Sequence, residues 1–280
     1  MTLWAAILIL IPIFALAFTV RWALAASTRD DILSGVVIRL MEAYSKLVHR
    51  LKIDGKPHIP NTKTPGPLIV VANHTAGVDP IFIQAACRFE IRWLMAQDMK
   101  VSWLDKVWDW SRIIFIDRSH KGGAAGLRQA IIHVNAGGVI GIFPEGRIER
   151  PVETLFPFLP GVGMLIARTG ARVLPIIVED APHVNPAWAS LWTPSRATIR
   201  VMPIIDYSAD ADGARISPRK IVEDLQHKYL EWTGWPEGET APDDDAAFRE
   251  PVAPRRPRAR WRASRYFAAG RRKATAARHR

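Results

Sequence analysis

Apolar residues fall along the chain in three kinds of pattern, and each predicts a different element. From Leu3 to Val20 eighteen residues pass without a charge, between Trp4 and Trp22. As a helix this run would span about 27 Å, enough for a bilayer core, with tryptophans at the interfaces where they are favoured. Pro12 within it is tolerable in a membrane helix. No Lys or Arg precedes the run, whereas Arg21, Arg29, Arg39, Lys46, Arg50 and Lys52 follow it. The positive-inside bias therefore places the body on the cytoplasmic side of the cytoplasmic membrane. A cleaved signal peptide ending near Ala23-Leu24-Ala25 is the competing reading, but the run is long for one and lacks a basic start. Residues 1–29 are read as a transmembrane or membrane-anchoring helix.

The second pattern occupies residues 30–52. Ile32, Leu33, Val36, Val37, Leu40, Met41, Tyr44, Leu47, Val48 and Leu51 recur at helical spacing, with Glu42, Ser45, Lys46, His49 and Arg50 opposite. This amphipathic helix either lies on a membrane surface or packs on the domain, and its basic residues suit anionic lipid.

Short β-type runs alternating with helical stretches form the third pattern, over 53–233. Strands are predicted around Lys52–Gly55 and at Leu68–Ala72, Ile91–Met95, Ile113–Ile116, Val139–Phe143, Val173–Val178 and Ala197–Ile205. Helices are predicted from Asp79-Pro80, over Val101–Trp110, Ala124–Asn135 and Gly161–Thr169, and from Ser217-Pro218 to about Trp232. Asp79 reads as the cap of the first of these, with Pro80 at its first position. The alternation is that of an α/β domain. Residues 234–280 are acidic and turn-rich, then Arg-rich, with no core-forming pattern.

Charge changes the picture only once it is located. The net charge of +11 suggests nucleic acid, yet residues 251–280 hold eleven Lys and Arg and no acid, leaving 27 charges of each sign in the body. The basicity belongs to a tail that suits an anionic membrane or, less well beside a membrane anchor, RNA or DNA. The single cysteine, Cys87, excludes an internal disulfide and sits among apolar helix residues as a packing group. His120, His133 and His183 have no companions at metal-ligand spacing, so no metal is assigned. Trp103, Trp108 and Trp110 read as core or interface residues rather than a ligand box.

Three β-runs end in polar residues: Asn73-His74 with Asp79, Asp117-Arg118, and Glu145-Gly146-Arg147. On parallel neighbouring strands these endings would meet at one edge of the sheet, where such sheets place their sites. A carboxylate on one imidazole nitrogen fixes the tautomer and leaves the other as a base. Arginines suit a phosphate through their planar fork. Each feature also has a plain reading: Asp79 as a cap, His74 as a loop residue, Arg118 as an ion-pair partner, Glu145-Gly146 as a turn.

Asn73-His74-x4-Asp79-Pro80, Ile114-Phe115-Ile116-Asp117-Arg118, Phe143-Pro144-Glu145-Gly146-Arg147 and Val173-Leu174-Pro175-Ile176 stand in the order and approximate spacing of the four blocks of the glycerolipid acyltransferases. The chain resembles the bacterial 1-acyl-glycerol-3-phosphate (lysophosphatidic acid) acyltransferases over about residues 50–205. The resemblance implies a mixed, mostly parallel α/β sheet flanked by helices, set against the membrane by its N-terminal helices. It implies His74 as general base with Asp79 as partner, and Arg118, Glu145, Gly146 and Arg147 at the acceptor's glycerol phosphate. The partners implied are membrane lipids and acyl-CoA or acyl carrier protein as co-substrate, with no bound cofactor. The product would be phosphatidic acid. In one departure the third block commonly reads Phe-Pro-Glu-Gly-Thr-Arg, and here Arg147 follows Gly146 directly, which leaves another lysolipid acceptor open. A non-catalytic membrane protein with a nucleic-acid-binding tail is the reading outside this chemistry.

Overall fold

The computed structural model describes residues 3–117, 123–209 and 215–239, without the side chains of 3–10 and 123. Arg118 and the tail from residue 240 lie outside the described residues. Among the described residues seven α-helices and seven strands follow in order: α1 (Leu3–Ala26), α2 (Ile32–Leu47), β1 (Lys52–Asp54), β2 (Leu68–Ala72), α3 (Asp79–Ala86), β3 (Arg92–Ala96), α4 (Asp105–Ser111), β4 (Ile114–Ile116), α5 (Gly123–Asn135), β5 (Val139–Ile142), α6 (Pro160–Thr169), β6 (Arg172–Glu179), β7 (Thr198–Val201) and α7 (Pro218–Thr233).

The strands form one sheet in the order β1-β7-β6-β2-β5-β3-β4. All neighbours run parallel except β6 and β7. β2 is central and wholly buried, which is why it reads as an unbroken apolar run rather than an alternating one. Its alternate residues feed two cores: Leu68, Val70 and Ala72 join Phe82, Ile83 and Phe89 on one face, and Ile69 and Val71 join Leu165, Ile166 and Leu225 on the other. Tyr229 of α7 is fully buried and donates to Val71 O at 2.8 Å, clamping the C-terminal helix to the central strand. Cys87 is buried, and burial pushes its thiol up to about 12, the state of an inert packing group.

Several sequence expectations change. β7 ends at Val201 rather than Ile205, because Pro203 has no N–H to give a ladder. The chain past α7 is not all tail: Leu155 donates to Pro236 O and accepts from Gly238 N. Among the described residues no helix is long and apolar enough to cross a membrane. The span expected over Leu3–Val20 is therefore unsupported.

The amphipathic helix also turns over. In α2 the buried residues are Ser34, Gly35, Ile38 and Ser45, whereas Ile32, Leu33, Val36, Leu40 and Leu47 are exposed. α2 is capped by Asp31, whose carboxylate accepts from Ser34 N at 2.7 Å, and Ser27 and Ser34 join their hydroxyls across the α1–α2 corner. The corner is tied to the domain by Arg29, which pairs with Glu90 at 2.8 Å and lies over Trp110. His49, expected on the polar outer side, is instead buried. Tyr44 gives its proton to Leu191 O, so His49 Nε2 donates to the tyrosine oxygen and Nδ1 accepts from Ser195. Of the three neighbouring tryptophans, Trp103 is exposed and Trp108 donates to Val101 O, so they form no common box.

Candidate active site

The chain leaves β2 at Ala72 and enters α3 at Asp79, and the six residues between them carry the chemistry. Asn73 spans outward from β2 to β6, donating to Val178 O at 3.0 Å and accepting from Val178 N at 2.8 Å. The ladder is thereby prolonged by a side chain and the turn is held at the strand's end. Asp79 is not the helix cap, which is Val78, but the first helical residue. Its buried carboxylate folds back over the turn: Oδ2 accepts from Thr75 N and Ala76 N at 2.8 Å each and from His74 Nδ1 at 2.9 Å. A carboxylate with these donors only accepts, so Nδ1 of His74 carries the proton and Nε2 presents a lone pair.

The imidazole plane is set by stacking. Its ring lies 3.9 Å from that of Phe143, and Phe143 lies 4.8 Å from Trp93, with both pairs within 13° of parallel. Trp93 can lie across the sheet only because β5 places Gly141 opposite it; a Cβ there would come within 2.6 Å of the indole.

The loop after β5 closes the far side. Glu145 is buried, and its two oxygens accept from His74 N at 3.2 Å and from Phe156 N at 2.9 Å. Burial raises its carboxyl above the usual range. It thus faces the inside of the turn. Gly146 has φ of 67°, and a Cβ there would meet Leu159 at 2.5 Å, so the loop reverses at glycine for both reasons. The Arg147 guanidinium lies over the Phe156 ring at 4.4 Å. Arg150 spends its donors on the carbonyls of Thr75, Glu149 and Val184.

The structure therefore brings His74, Asp79, Glu145, Gly146 and Arg147 to the ends of two adjacent strands, β2 and β5. β4, which leads to Asp117 and Arg118, is the sheet's outer strand, separated from β5 by β3. The expectation that all three endings sit on neighbouring strands is corrected to that extent. Two residues of the site were not singled out from sequence: Phe143, whose place before Pro144-Glu145 was quoted but not its ring, and Glu149. Glu149 is fully buried, donates its N–H to His74 O at 2.7 Å and accepts from Asn73 Nδ2 at 2.9 Å. Its one sequence signal is a second carboxylate four residues after Glu145 in a loop bound for the interior. Among the described residues no three His, Cys, Asp or Glu side chains gather as metal ligands.

Fold and site together define an α/β protein whose polar loop side chains gather where strand order changes direction, at the carboxyl end of the central strand. Residues 50–179, a little under half of the chain, match the family model described as Acyltransferase, and the likeness supports an O-acyltransferase. A relative named 1-acyl-sn-glycerol-3-phosphate acyltransferase, from Borreliella burgdorferi, is 28% identical over 187 residues, covering 65% of this chain and 72% of that one. The crystal structure of the 1-acyl-sn-glycerophosphate (LPA) acyltransferase PlsC from Thermotoga maritima shares the fold, with a TM-score of 0.53 at 21% identity over 72% of this chain and 82% of that one.

Proposed function

We propose that the protein moves a fatty acyl group from acyl-CoA or acyl carrier protein to the free hydroxyl of 1-acyl-glycerol-3-phosphate, giving phosphatidic acid, with His74 as general base. The observation that carries this reading is the 2.9 Å bond between His74 Nδ1 and the buried Asp79 carboxylate, which leaves Nε2 as the ring's unprotonated nitrogen. Nε2 takes the proton of the acceptor hydroxyl as that oxygen attacks the thioester carbonyl. The tetrahedral centre then collapses, the C–S bond breaks, and the thiolate leaves to be reprotonated from His74. No covalent enzyme intermediate is needed. Asp79 holds the tautomer and offsets the charge of the imidazolium. Base catalysis of this kind contributes about 10²- to 10⁴-fold, so positioning of the two substrates must supply the rest. In this reading Arg147 and Arg118 take the phosphate, while Glu145 shapes the turn from inside.

The protein would work at the cytoplasmic face of the membrane, lying on it rather than spanning it. The support is the exposed apolar side chains of α1 and α2, among them Phe14, Leu16, Phe18, Leu33 and Leu40. The amphipathic α2 suits burial of its apolar face at the headgroup boundary. A second acceptor class, another lysophospholipid or a lyso-ornithine lipid, is favoured by Arg147 standing directly after Gly146. A panel of lysolipids in a thioester-release assay separates the two. The direct test of the chemistry is His74→Ala, expected to lower kcat by about 10²-fold or more with an unchanged melting temperature; a variant within threefold of wild type would refute the base.

A further inference from the structure

Glu149 is buried beside a second buried carboxyl, and the bonds around the two are unequal. Glu145 accepts a backbone N–H on each oxygen. Glu149 accepts from Asn73 on Oε1 alone, while its Oε2 is fully enclosed with no donor near it. The two side chains stand close enough for each to act on the other's proton. A carboxylate oxygen can only accept, so an enclosed oxygen with no donor has a role only as a hydroxyl. The unequal partners say where the proton lies: Glu145 is the saturated acceptor, and Glu149 Oε2 is the atom that lacks a role unless it is a hydroxyl.

We propose that Glu149 is a positioning residue for acyl transfer, held as a neutral carboxylic acid that donates from Oε2 to Glu145 and accepts from Asn73 on Oε1. The shared proton locks the loop after β5 onto the His74 turn. Three further bonds run through the same contact: Glu149 N–H to His74 O at 2.7 Å, His74 N–H to Glu145, and Asn73 to Glu149. Phe143, which backs the imidazole, lies at the start of that loop. If the proton is lost, two like charges are left in a dry contact with the Asp79 carboxylate nearby, and loop and turn are driven apart. The other charged or titratable groups facing the pair are His74, Arg147 and Arg150 from the two loops and Tyr229 from α7; only Arg147 and Arg150 offer fixed positive charge, and Arg150 is already taken up by carbonyls. Burial raises both carboxyls, and Glu145 raises Glu149 further.

The sign of the pH effect follows. In the unfolded chain both glutamates ionise in the usual carboxylate range, whereas the native pair keeps one proton through neutral pH. Stability is therefore full at acid pH and falls as pH rises, until the native pair also lets its proton go. Glutamine reproduces the neutral acid, with an N–H for Glu145 and a carbonyl for Asn73, but has no proton to lose.

The test compares wild type, Glu149→Gln and Glu149→Ala as full chains, and rests in part on the acyl-transfer reading. Melting temperature is followed from pH 6 to 9, and kcat and KM are measured by thioester release with 1-acyl-glycerol-3-phosphate. Glu149→Gln is expected to keep kcat within about threefold and to melt above wild type at pH 9, with the gap closing toward pH 6. Glu149→Ala should lose about tenfold or more in kcat with KM within threefold. The proposal is overturned if Glu149→Gln shows the same pH slope as wild type, if it falls as far as Glu149→Ala, or if Glu149→Ala has wild-type kcat. The melting curves need no substrate: expected slopes from a wild type that turns over no such acceptor would uphold the proton lock and remove only the acceptor reading.

Discussion

At the scale of single residues, Asp79 does two jobs with one carboxylate. It closes the turn by taking the Thr75 and Ala76 amides, and it orients His74. Asp79→Asn should therefore lower both activity and stability. An amide can face His74 Nδ1 or the two backbone amides with its oxygen, but brings N–H groups against the others. We expect kcat to fall at least about tenfold and the melting temperature to drop by several degrees, since hydrogen bonds to a buried charge are worth about 1.5–3 kcal/mol each; thermal melts and turnover on one preparation check both. The pairing of His74 with Asp79 was legible because strand, turn and helix start follow one another within twelve residues, and local geometry brings the ends together. Its detail was not: a cap and a first helical residue differ by one position. The ring stack and Glu149 were harder still. Asn73 and Glu149 stand 76 residues apart and meet only because β2 and β5 are neighbours, and strand order is not written in any one segment.

Among the elements, the strand runs were the most legible, since a parallel sheet buried on both faces needs apolar residues at every position. α2 was misjudged by the same rule that found it. Its apolar stripe is real, but Ser34 and Gly35 let α1 pack close, so the small polar side became the inner one. The end of α2 is held by His49, whose imidazole burial keeps below its usual range. A depressed histidine contributes stability above the ordinary imidazole value near 6.5 that is lost as pH falls, because only the unfolded chain takes up the proton. His49→Ala should cost about 1–3 kcal/mol, or about 2–12 °C at pH 7.5. It should also make the loss of melting temperature between pH 7 and 5 shallower, though not flat, because burial depresses His133 and His183 too. A pH series of melts on the two proteins checks it.

For the molecule as a whole, the question is what the outward apolar side of α1 and α2 meets. If it is lipid, Leu33→Asp with Leu40→Asp should reduce sedimentation with vesicles of mixed zwitterionic and anionic phospholipid at least about tenfold, each leucine contributing roughly 1.5–3 kcal/mol when buried. Both side chains are exposed, so the melting temperature should stay within about 2 °C. The spanning reading rested on an uncharged run, its flanking tryptophans and the Lys and Arg that follow it, none of which registers that the α1–α2 corner is tied to the domain through Arg29 and Glu90. The sheet order carries a further consequence, for synthesis. Among the described strands β1, the first made, pairs only with β7, the last. Some 150 residues separate the end of α2 from the end of β7. At 5–20 residues per second that is about 8–30 s of translation, during which the apolar helix pair stands outside the ribosome before the edge of the sheet can close. If that apolar side meets lipid, the encounter would precede the finished fold, and the enzyme would be assembled in place rather than delivered.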